Sequence, residues 1–525
     1  MVVGDPAQAA SGMRESVSAV APGANERYQL GMSKNIASWL SDAVTRSPDA
    51  VAVRERGHEI TYAELAGRAG GFARRLEGLG VGAGDRVAII APRGAAPAAV
   101  ILAVQALGAV AVVVNDRLRV RQLEHILRDI EAKALVCSPE AMARSGVAPT
   151  MPAVVLDISE APPSAAFVPV SRESGDLAHI IYTSGSTGLP RGVMHTHGSI
   201  TAGVATVASY LGLRPDDRVA ALIAFSSVYG LNQLYCTLSV GASLVIEQSV
   251  FAADTVASLR SEQVTVAAGV PPLWLQLLAV PGFSESMPEL RQLQNAGGHL
   301  PVTAVKQLRA AQPQAALFLQ YGMTETWRGT FLPPAEVDRQ PGSMGRPIPG
   351  VEIVVVRDDG TVCADGETGE LVQSGPTLAS GYWRAPSSQG EVFRAHPLRP
   401  AERAVYSGDF VRRDSDGLLH YVGRHDRVIK TQGHRIGPDE VADVLFASGQ
   451  VAEAMVAGED DAERGQRVVA WVVLTTEGSL QQLRRFCRGE LPLHMQPSRI
   501  EVRESLPRLA SGKYDLAALR ESAGG

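Results

Sequence analysis

The chain has 525 residues, which is more than one hydrophobic core usually serves, so two or more domains are expected. The formal net charge is -6, and Lys and Arg are scattered, so no basic field marks a nucleic-acid partner. The four cysteines, Cys137, Cys236, Cys363 and Cys487, lie far apart without a C-x-x-C pair, which disfavours a disulfide framework or zinc site and favours a reducing cytoplasm.

The composition of the first residues argues against an export signal. Residues 1–33 are rich in Ala, Ser and Gly and lack the basic start and apolar core of a signal peptide. We expect them to form a disordered leader. No apolar run reaches the length of about 18 residues that a membrane helix needs, so no span is predicted.

Strand-like and helix-like runs alternate after the leader. Arg86–Ile90 precedes the helical run Ala95–Leu107, and the strand-like run Ala109–Val114 precedes Arg121–Ile130. Such alternation is typical of parallel sheets covered by helices, and it recurs around Arg218–Ile223. The sequence therefore predicts an α/β fold with two parallel-sheet units.

The pattern of predicted elements changes in the last third of the chain. Short strands with turn signals fill the region from Pro341 to Tyr421, which predicts a small antiparallel β unit. After Asp426 comes an α+β segment of about a hundred residues, long enough for a separate domain. We therefore expect a large domain over residues 34–425 and a C-terminal domain over 426–525.

A loop rich in hydroxyls and glycines follows the strand-like run at Ile181. Its donors and close-approach positions are Thr183, Ser184, Gly185, Ser186, Thr187 and Gly188. Arg191 adds a fixed positive charge, and this combination is typical of polyphosphate binding, although a plain Ser/Gly surface loop has the same composition. The glycine spacing matches neither a Walker loop nor a dinucleotide fingerprint.

Three further segments carry chemistry in a fixed order. Tyr321–Thr326 places an aromatic ring, a hydroxyl and a carboxylate at the end of the apolar run Ala315–Leu319. Tyr406–Phe410 leads into a stretch that contains Arg424, and Lys513 lies near the C-terminus.

Together these segments resemble the adenylate-forming superfamily, which includes acyl- and aryl-CoA ligases, nonribosomal peptide synthetase adenylation domains and luciferases. The resemblance runs from about Ile36 to about Leu519. Tyr321–Asp338 and Ser407–Asp414 are most similar to stand-alone acyl-CoA or AMP ligases of bacterial biosynthetic clusters, including those beside exosortase systems. The resemblance implies an AMP-binding domain over 34–425 and a mobile domain over 426–525.

The implied reaction has two halves. A carboxylate attacks the α-phosphate of Mg-ATP to give an acyl-adenylate and pyrophosphate, and the thiol of CoA or of a phosphopantetheine then displaces AMP. Both halves depend mainly on positioning and on cations near developing negative charge. The implied partners are a small carboxylic acid and either free CoA or a separate acyl carrier protein, because we expect no carrier domain after Lys513.

The resemblance assigns the nucleotide contacts residue by residue. Thr183 to Arg191 would hold the β- and γ-phosphates, and Arg191 replaces the usual Lys while keeping the positive charge. Glu325 would bind Mg²⁺ beside Thr324, which would contact the α-phosphate. The adenine and acyl-adenylate contacts would be Asn295, Ala296, Gly297, Tyr321, Gly322 and Met323.

The ribose and the chemical step depend on three charged residues. Asp409 and Arg424 resemble the ribose pair, in which a carboxylate accepts hydrogen bonds from both hydroxyls. Lys513 would bring its ammonium to the reacting carboxylate and the α-phosphate, so the implied catalytic residues are Lys513, Thr183 and Glu325. Taken singly, each charge also fits a solvated surface position, and only the shared motif order favours function.

The implied acyl pocket is formed by Phe225–Gln233, within which Ser227, Val228, Tyr229 and Asn232 are the candidate lining. Gly297, Gly298 and Met323 would form the facing wall. Amino-acid-activating members usually place Asp early in this segment, and a buried ammonium without a carboxylate would be costly. We therefore expect an acid that lacks an α-amino group. Tyr229 and Asn232 fit substrate contacts and satisfied core residues about equally well.

The resemblance also implies motion. Asp426 falls at the family's hinge, and rotation there would remove Lys513 and bring Gly433 to the thiol tunnel. Besides Arg191, two further departures from the family pattern are Gly437, where Glu is usual, and the absence of His near Ser227. Two alternatives stay open: an amino-acid adenylation enzyme that loads a carrier protein, and a non-catalytic nucleotide-binding protein that binds ATP without releasing pyrophosphate.

Overall fold

The fold is described from a computed structural model. It covers residues 35–118, 120–146, 154–159, 162–183, 190–384, 392–424, 427–431, 434–461, 465–508 and 514–521. The predicted leader, residues 1–33, lies outside the described residues.

Strands and helices alternate through the first part of the chain, as the apolar pattern predicts. The strands are β1 (Val51–Glu55), β2 (His58–Thr61), β3 (Arg86–Ile90), β4 (Val110–Val114), β5 (Ala134–Cys137), β6 (Val154–Asp157), β7 (Leu177–Thr183) and β8 (Arg191–Thr196). The helices are α1 (Ser38–Arg46), α2 (Tyr62–Gly78), α3 (Ala95–Ala106), α4 (Val120–Asp129), α5 (Pro139–Ser145) and α6 (His197–Leu211).

The same alternation continues through the middle of the chain. The strands are β9 (Arg218–Ala221), β10 (Ser243–Ile246), β11 (Val266–Gly269), β12 (Gln292–Asn295), β13 (Ala316–Tyr321), β14 (Thr330–Leu332) and β15 (Ser343–Pro347). The helices are α7 (Val228–Val240), α8 (Ala252–Ser261), α9 (Pro271–Leu278), α10 (Val302–Ala311) and α11 (Pro334–Val337), with 3₁₀ turns at Pro281–Ser284 and Thr324–Thr326.

The remaining elements are mostly strands. They are β16 (Glu352–Val356), β17 (Thr368–Ser374), β18 (Gly381–Tyr382), β19 (Phe393–Ala395), β20 (Arg403–Arg413), β21 (Leu419–Arg424), β22 (Ile429–Thr431), β23 (His434–Ile436), β24 (Val451–Asp461), β25 (Gly465–Leu474) and β26 (Arg499–Val502). The helices are α12 (Pro438–Ala447), α13 (Leu480–Glu490) and α14 (Leu516–Glu521), with a 3₁₀ turn at Leu493–Met495.

Two large sheets organise most of the described chain. One has the order β16-β17-β20-β21-β15-β14-β13-β12-β11-β9-β10-β1-β2, with β19 beside β20. The other has the order β18-β8-β7-β4-β3-β5-β6. In the first sheet the run from β13 to β1 is parallel, so the carboxyl ends of β9, β11, β12 and β13 meet at one edge.

The main hydrophobic core lies between these two sheets. It contains residues of β3 and β4 from one sheet, residues of β9 and β10 from the other, and the helices α3, α6 and α7. Nearly every residue of α3 is buried, as expected for a helix that is apolar on all sides and packs between two layers. This packing sets the position of α7, whose first turns belong to the predicted acyl segment.

Both large sheets are mixed, which corrects the prediction of purely parallel sheets. β7 pairs with β8 antiparallel, and β13 pairs with β14 antiparallel. The physical reason is connection length, because a parallel crossover needs roughly a dozen or more residues and these two loops are shorter. The predicted β unit after Pro341 is antiparallel, but its strands continue the first large sheet through β14 and β15.

The C-terminal part has its own sheet and its own apolar cluster. Its order is β23-β22-β25-β24, with β26 beside β25. Helices α12 and α13 cover it through buried residues that include Val441, Leu445 and Leu483. Within the described ranges, no helix is both long and apolar enough to cross a membrane.

Candidate functional site

The strands that flank the predicted phosphate loop bring two of its residues together. Thr183 ends β7, Arg191 begins β8, and the two residues are partners in the antiparallel ladder. Ser184, Gly185, Ser186, Thr187 and Gly188 lie outside the described residues. In the part of the chain that the structure describes, the Arg191 guanidinium has no carboxylate partner and lies 6.0 Å from the Tyr382 ring centroid. No carboxylate among the described residues therefore neutralises this cation.

Glu325 sits in the 3₁₀ turn that follows β13. Its side chain is nearly buried, and its Oε1 accepts a hydrogen bond from the Tyr382 hydroxyl at 2.7 Å. Burial, and then the Glu325 carboxylate, raise the pKa of Tyr382, so the hydroxyl stays a donor. The bond holds one carboxylate oxygen and orients the other.

Thr324 is held in the same turn by a buried histidine. The Thr324 carbonyl lies 2.7 Å from Nε2 of His195, and the His195 ring contacts Trp327 edge-on. Burial lowers the pKa of His195 to about 4, so the ring is neutral near pH 7. A neutral ring that donates to this carbonyl fixes the turn without adding charge beside Glu325.

The predicted ribose pair comes together with Tyr321. The Tyr321 hydroxyl donates to Asp409 Oδ2 at 2.6 Å, and Arg424 Nε lies 3.7 Å from Asp409 Oδ1. Asp409 and Arg424 are ladder partners on β20 and β21, and the Asp409 amide donates to Ser407 Oγ at 3.0 Å. Burial, and then Asp409, raise the pKa of Tyr321 well above its ordinary value. The carboxylate is thus held by a neutral donor on one side and a cation on the other.

The loop after β12 forms the predicted adenine side. Asn295 ends β12, and its Oδ1 is buried without a hydrogen-bond partner among the described residues. Its Nδ2 donates to the Gly298 carbonyl at 3.4 Å. Ala296 is buried, and Gly297 has φ +82°, a left-handed conformation in which a side chain would be strained. After β13, Gly322 is closely packed, because a Cβ there would lie 3.0 Å from Arg328 Cα.

The predicted acyl segment starts helix α7. Ser227 is its N-cap, because its Oγ accepts from the Gly230 amide at 3.1 Å. Val228 is buried, and the Tyr229 hydroxyl donates to the Gln294 carbonyl at 3.1 Å. Asn232 Oδ1 accepts from Trp327 Nε1 at 2.9 Å, so this oxygen has a structural partner.

The remaining wall residues and the C-terminal candidates are positioned differently. Met323 packs against the apolar cluster that contains Tyr382, on the Glu325 side. Asp426, Gly433 and Lys513 lie outside the described residues. No group of three or more His, Cys, Asp or Glu side chains forms a metal cluster in the ranges that the structure covers.

Sequence reasoning missed Tyr382, His195 and Trp327. Tyr382 is far from Glu325 in sequence, and a single Tyr in the two-residue strand β18 carries no local signal. Trp327 directly follows the recognised segment and has φ +61°, a conformation rare for a bulky residue. Gly203 makes room for it, because a Cβ there would lie 2.3 Å from Trp327 Cδ1. Trp327 thereby sets the direction of the chain beyond the Glu325 turn.

An ion pair joins the loop after Asn295 to the C-terminal part. His299 Nε2 lies 2.9 Å from Asp443 Oδ2 on α12. Burial alone would lower the pKa of His299, but its hydrogen bond to Asp443, the Asp443 charge and the nearby Asp439 outweigh burial and raise it to about 9. Arg427 is the further charge that acts on Asp439.

We expect this pair to stabilise the fold at low pH and to lose its effect at high pH. A raised folded-state pKa contributes fully below the ordinary value of 6.5 and is lost as the pH passes about 9. Asp443→Asn should therefore lower stability by about 1–2 kcal/mol at pH 6 and by little above pH 9.5. Thermal unfolding between pH 6 and 10 measures this. His299→Asn should give the same profile as Asp443→Asn, and a constant difference across the range would contradict the assignment.

Two family models match the chain. The model described as AMP-binding enzyme matches residues 40–383, and the model described as AMP-binding enzyme C-terminal domain matches residues 440–513.

Curated relatives match across most of this chain. Feruloyl-CoA synthase of Amycolatopsis sp is 33% identical over 493 residues, covering 92% of this chain and 97% of that protein. L-proline–[L-prolyl-carrier protein] ligase of Pseudomonas fluorescens is 32% identical over 503 residues, covering 91% and 97%. Tyrocidine synthase 3 of Brevibacillus parabrevis is 31% identical over 495 residues, but the chain spans only 8% of that protein.

Solved structures share the fold. ATP-bound MatB from Rhodopseudomonas palustris superposes with a TM-score of 0.84 at 28% identity, over 94% of this chain and 99% of that one. O-succinylbenzoate coenzyme A synthetase (MenE) from Bacillus subtilis, in complex with ATP and a magnesium ion, has a TM-score of 0.81 at 27% identity, over 91% and 98%. Because the first model covers more than half of the chain and full-length relatives exceed 30% identity, the chain belongs to the AMP-binding enzyme family and is an AMP-forming acid–thiol ligase.

Proposed function

We propose that this ligase activates a small carboxylic acid lacking an α-amino group. The acid carboxylate attacks the α-phosphate of ATP, pyrophosphate leaves, and the acyl-adenylate transfers its acyl group to a thiol. The thiol belongs to CoA or to the phosphopantetheine of a separate carrier protein, and the named activities of the feruloyl-CoA and prolyl-carrier relatives support one acceptor each. The reaction serves a bacterial biosynthetic pathway in the cytoplasm.

The observation that carries this proposal is the pair of contacts made by Tyr382. Its hydroxyl binds the candidate metal ligand Glu325, and its ring lies under the candidate phosphate ligand Arg191. One side chain thus spans the distance between a carboxylate and a cation that come from different sheets. Nucleotidyl transfer needs a metal-binding carboxylate and a cation beside one polyphosphate. The proximity of Glu325 and Arg191 therefore supports phosphate chemistry around Tyr382.

The residues present fit ATP. The buried Oδ1 of Asn295 can accept a hydrogen bond that the protein does not supply, and the exocyclic amine of adenine offers such a donor. Asp409, oriented by Tyr321, is a carboxylate of the type that accepts hydrogen bonds from ribose hydroxyls. Arg191 can hold the terminal phosphates bidentately.

The residues also fit Mg²⁺. The Glu325 carboxylate is a hard oxygen ligand oriented by Tyr382, and a site with one protein carboxylate suits a cation that keeps waters and phosphate oxygens as its other ligands. When bound, Mg²⁺ would neutralise charge on the phosphates during the attack. Glu325 and Tyr382 would orient the ion, and Thr324 would contact the α-phosphate.

We further propose that the C-terminal part, residues 426–525, moves as a unit about Asp426. Its separate sheet and separate apolar cluster support independent motion. Lys513 would meet the reacting carboxylate in one orientation, and Gly433 would line the thiol tunnel in the other. The His299–Asp443 pair would hold the orientation described here.

The test is pyrophosphate release from Mg-ATP across a panel of free carboxylic acids and amino acids, with hydroxylamine to trap the acyl-adenylate. We expect release and hydroxamate formation with one class of acid, after which CoA and carrier proteins are compared as acceptors. Release only with amino acids would favour the carrier-loading alternative. ATP binding without release for any acid would overturn the proposed activity in favour of a non-catalytic role.

Glu325→Gln should reduce hydroxamate formation on the order of 10²-fold at saturating ATP, because the amide can still pair with Tyr382 but no longer offers a charged ligand to Mg²⁺. The loss should be partly recovered at high Mg²⁺. Tyr382→Phe is the matched control, since it keeps the carboxylate and removes only its orienting donor, and its loss should be about 10-fold or less. Equal losses in both variants at every Mg²⁺ concentration would contradict the metal role.

A further inference from the structure

A buried arginine follows the Glu325 turn. Arg328 is only 2% exposed. Its amide donates to the Thr326 carbonyl at 2.6 Å, and its carbonyl accepts from Gln373 Nε2 at 2.9 Å. Both backbone groups are held, and Trp327 before it is fixed by Asn232. The Arg328 side chain is therefore enclosed by protein on a backbone that hydrogen bonds hold in place.

The Arg328 guanidinium has no anionic partner among the described residues. Its Cζ lies 5.0 Å from the ring centroid of Tyr229, and its Nε is buried without a hydrogen-bond acceptor. Among the described residues, the Arg328 charge acts to lower the pKa of three nearby side chains, Tyr210, Tyr229 and Cys236. Burial raises the pKa of each more than the Arg328 charge lowers it, so all three stay neutral. A cation–π contact offsets only a small part of the cost of burying an unpaired charge.

The ring under Arg328 belongs to the acyl segment. Tyr229 lies in the first turn of α7, and its hydroxyl reaches the Gln294 carbonyl next to Asn295. Gln233 follows one helical turn later and therefore lies on the same face of α7. Both polar atoms of its side-chain amide are buried and have no partner in the described ranges. A cation and an unpaired amide thus lie beside the segment proposed to form the acyl pocket.

We propose that Arg328 binds a second carboxylate of the substrate, so that the acids activated by this ligase are dicarboxylic acids. This inference rests on the proposed function. One carboxylate reacts with ATP, and the other pairs with the planar guanidinium, which matches carboxylate geometry bidentately. The Gln233 amide can donate to the same group or to a carbonyl near it. The buried cation would also repel a substrate ammonium, which disfavours amino acids independently of the Ser226–Val228 sequence.

The experiment compares acids of equal length that differ in the charge at the far end from the reacting carboxylate. Hydroxamate formation is measured with α,ω-dicarboxylic acids of three to eight carbons, their monomethyl esters, the simple monoacids and the ω-amino acids of equal length, together with benzoate and its dicarboxylic analogues. For the wild type we expect kcat/KM to fall from the anionic to the neutral to the cationic end, by about 10²-fold at the first step.

Two variants and a control complete the design. Arg328→Met should lower kcat/KM for diacids by about 10²-fold or more and leave monoacids unchanged or faster, while Arg328→Lys should keep the preference at a reduced ratio. The ratio of kcat/KM for diacids to kcat/KM for monoacids does not depend on the fraction of protein that is folded. A merely structural role of Arg328 would therefore leave this ratio unchanged. Arg309→Met, the same exchange at a surface pair with Asp338, should leave the ratio unchanged.

The outcomes separate this inference from the proposed function. If the wild type uses monoacids as well as diacids, or if Arg328→Met keeps the diacid preference, the inference is overturned while acid activation stands. If no acid gives hydroxamate although ATP binds, the proposed function itself fails, and the role of Arg328 fails with it.

Discussion

Lys513→Ala is expected to lower acyl-adenylate formation by about 10²–10³-fold while ATP affinity changes little. Negative charge develops on the α-phosphate as the carboxylate attacks, and one ammonium placed at that point contributes about 3–4 kcal/mol in a site that excludes water. Lys513 is the last residue of the match to the C-terminal family model. Hydroxamate formation and ATP titration measure the two quantities separately.

A matched control distinguishes the effect of removing Lys513 from the general effect of removing one positive charge. Lys306→Ala removes an ammonium from an exposed position on α10 and should leave both quantities unchanged. Transfer of a preformed acyl-adenylate to the thiol should be much less sensitive to Lys513→Ala, because the proposed rotation removes Lys513 before that step. Retention of full adenylation by Lys513→Ala would refute its catalytic role.

Asp409→Ala is expected to raise the Kd for ATP by about 10–100-fold, which corresponds to about 1.4–2.7 kcal/mol. The change removes the carboxylate that would accept both ribose hydroxyls, and it leaves the Tyr321 hydroxyl without its acceptor at 2.6 Å. Equilibrium titration with ATP in the absence of acid measures the effect directly.

Tyr321→Phe separates these two contributions. It removes the hydroxyl that orients Asp409 but keeps the carboxylate and the ring, so we expect a Kd increase of no more than about 5-fold. Asp409→Asn keeps the shape and the Tyr321 contact, and it should fall between the two. An unchanged ATP Kd in Asp409→Ala would rule out the ribose role and leave Asp409 as a structural partner of Tyr321.

The order of elements was predictable from the sequence because the core strands are continuous apolar runs. β3 coincides with the run Arg86–Ile90, and β4 (Val110–Val114) lies within the run Ala109–Val114, since strands buried on both faces need apolar residues throughout. The mixed pairing of both sheets depended on loop lengths, which apolar periodicity does not report.

The proximity of Asp409 and Arg424 was predictable from the sequence, and their ribose role stays a prediction. Asp409 and Arg424 were paired by motif, and ladder register does bring them together. The acyl side was less predictable. Asn232 was left open between substrate contact and core, and its oxygen proved to bind Trp327, which no local pattern indicates.

The sequence by itself determined the family and the chemical class of the reaction, because the segments that resemble the family's phosphate, metal and ribose motifs place particular residue types at short spacing. Only the tertiary structure decided which distant side chains share a site. Tyr382 reaches both Glu325 and Arg191, and Arg328 is buried against Tyr229. The physical reason is that burial and the absence of a counter-charge are properties of packing between separate elements, and a lone Arg or Tyr has no sequence pattern that predicts them.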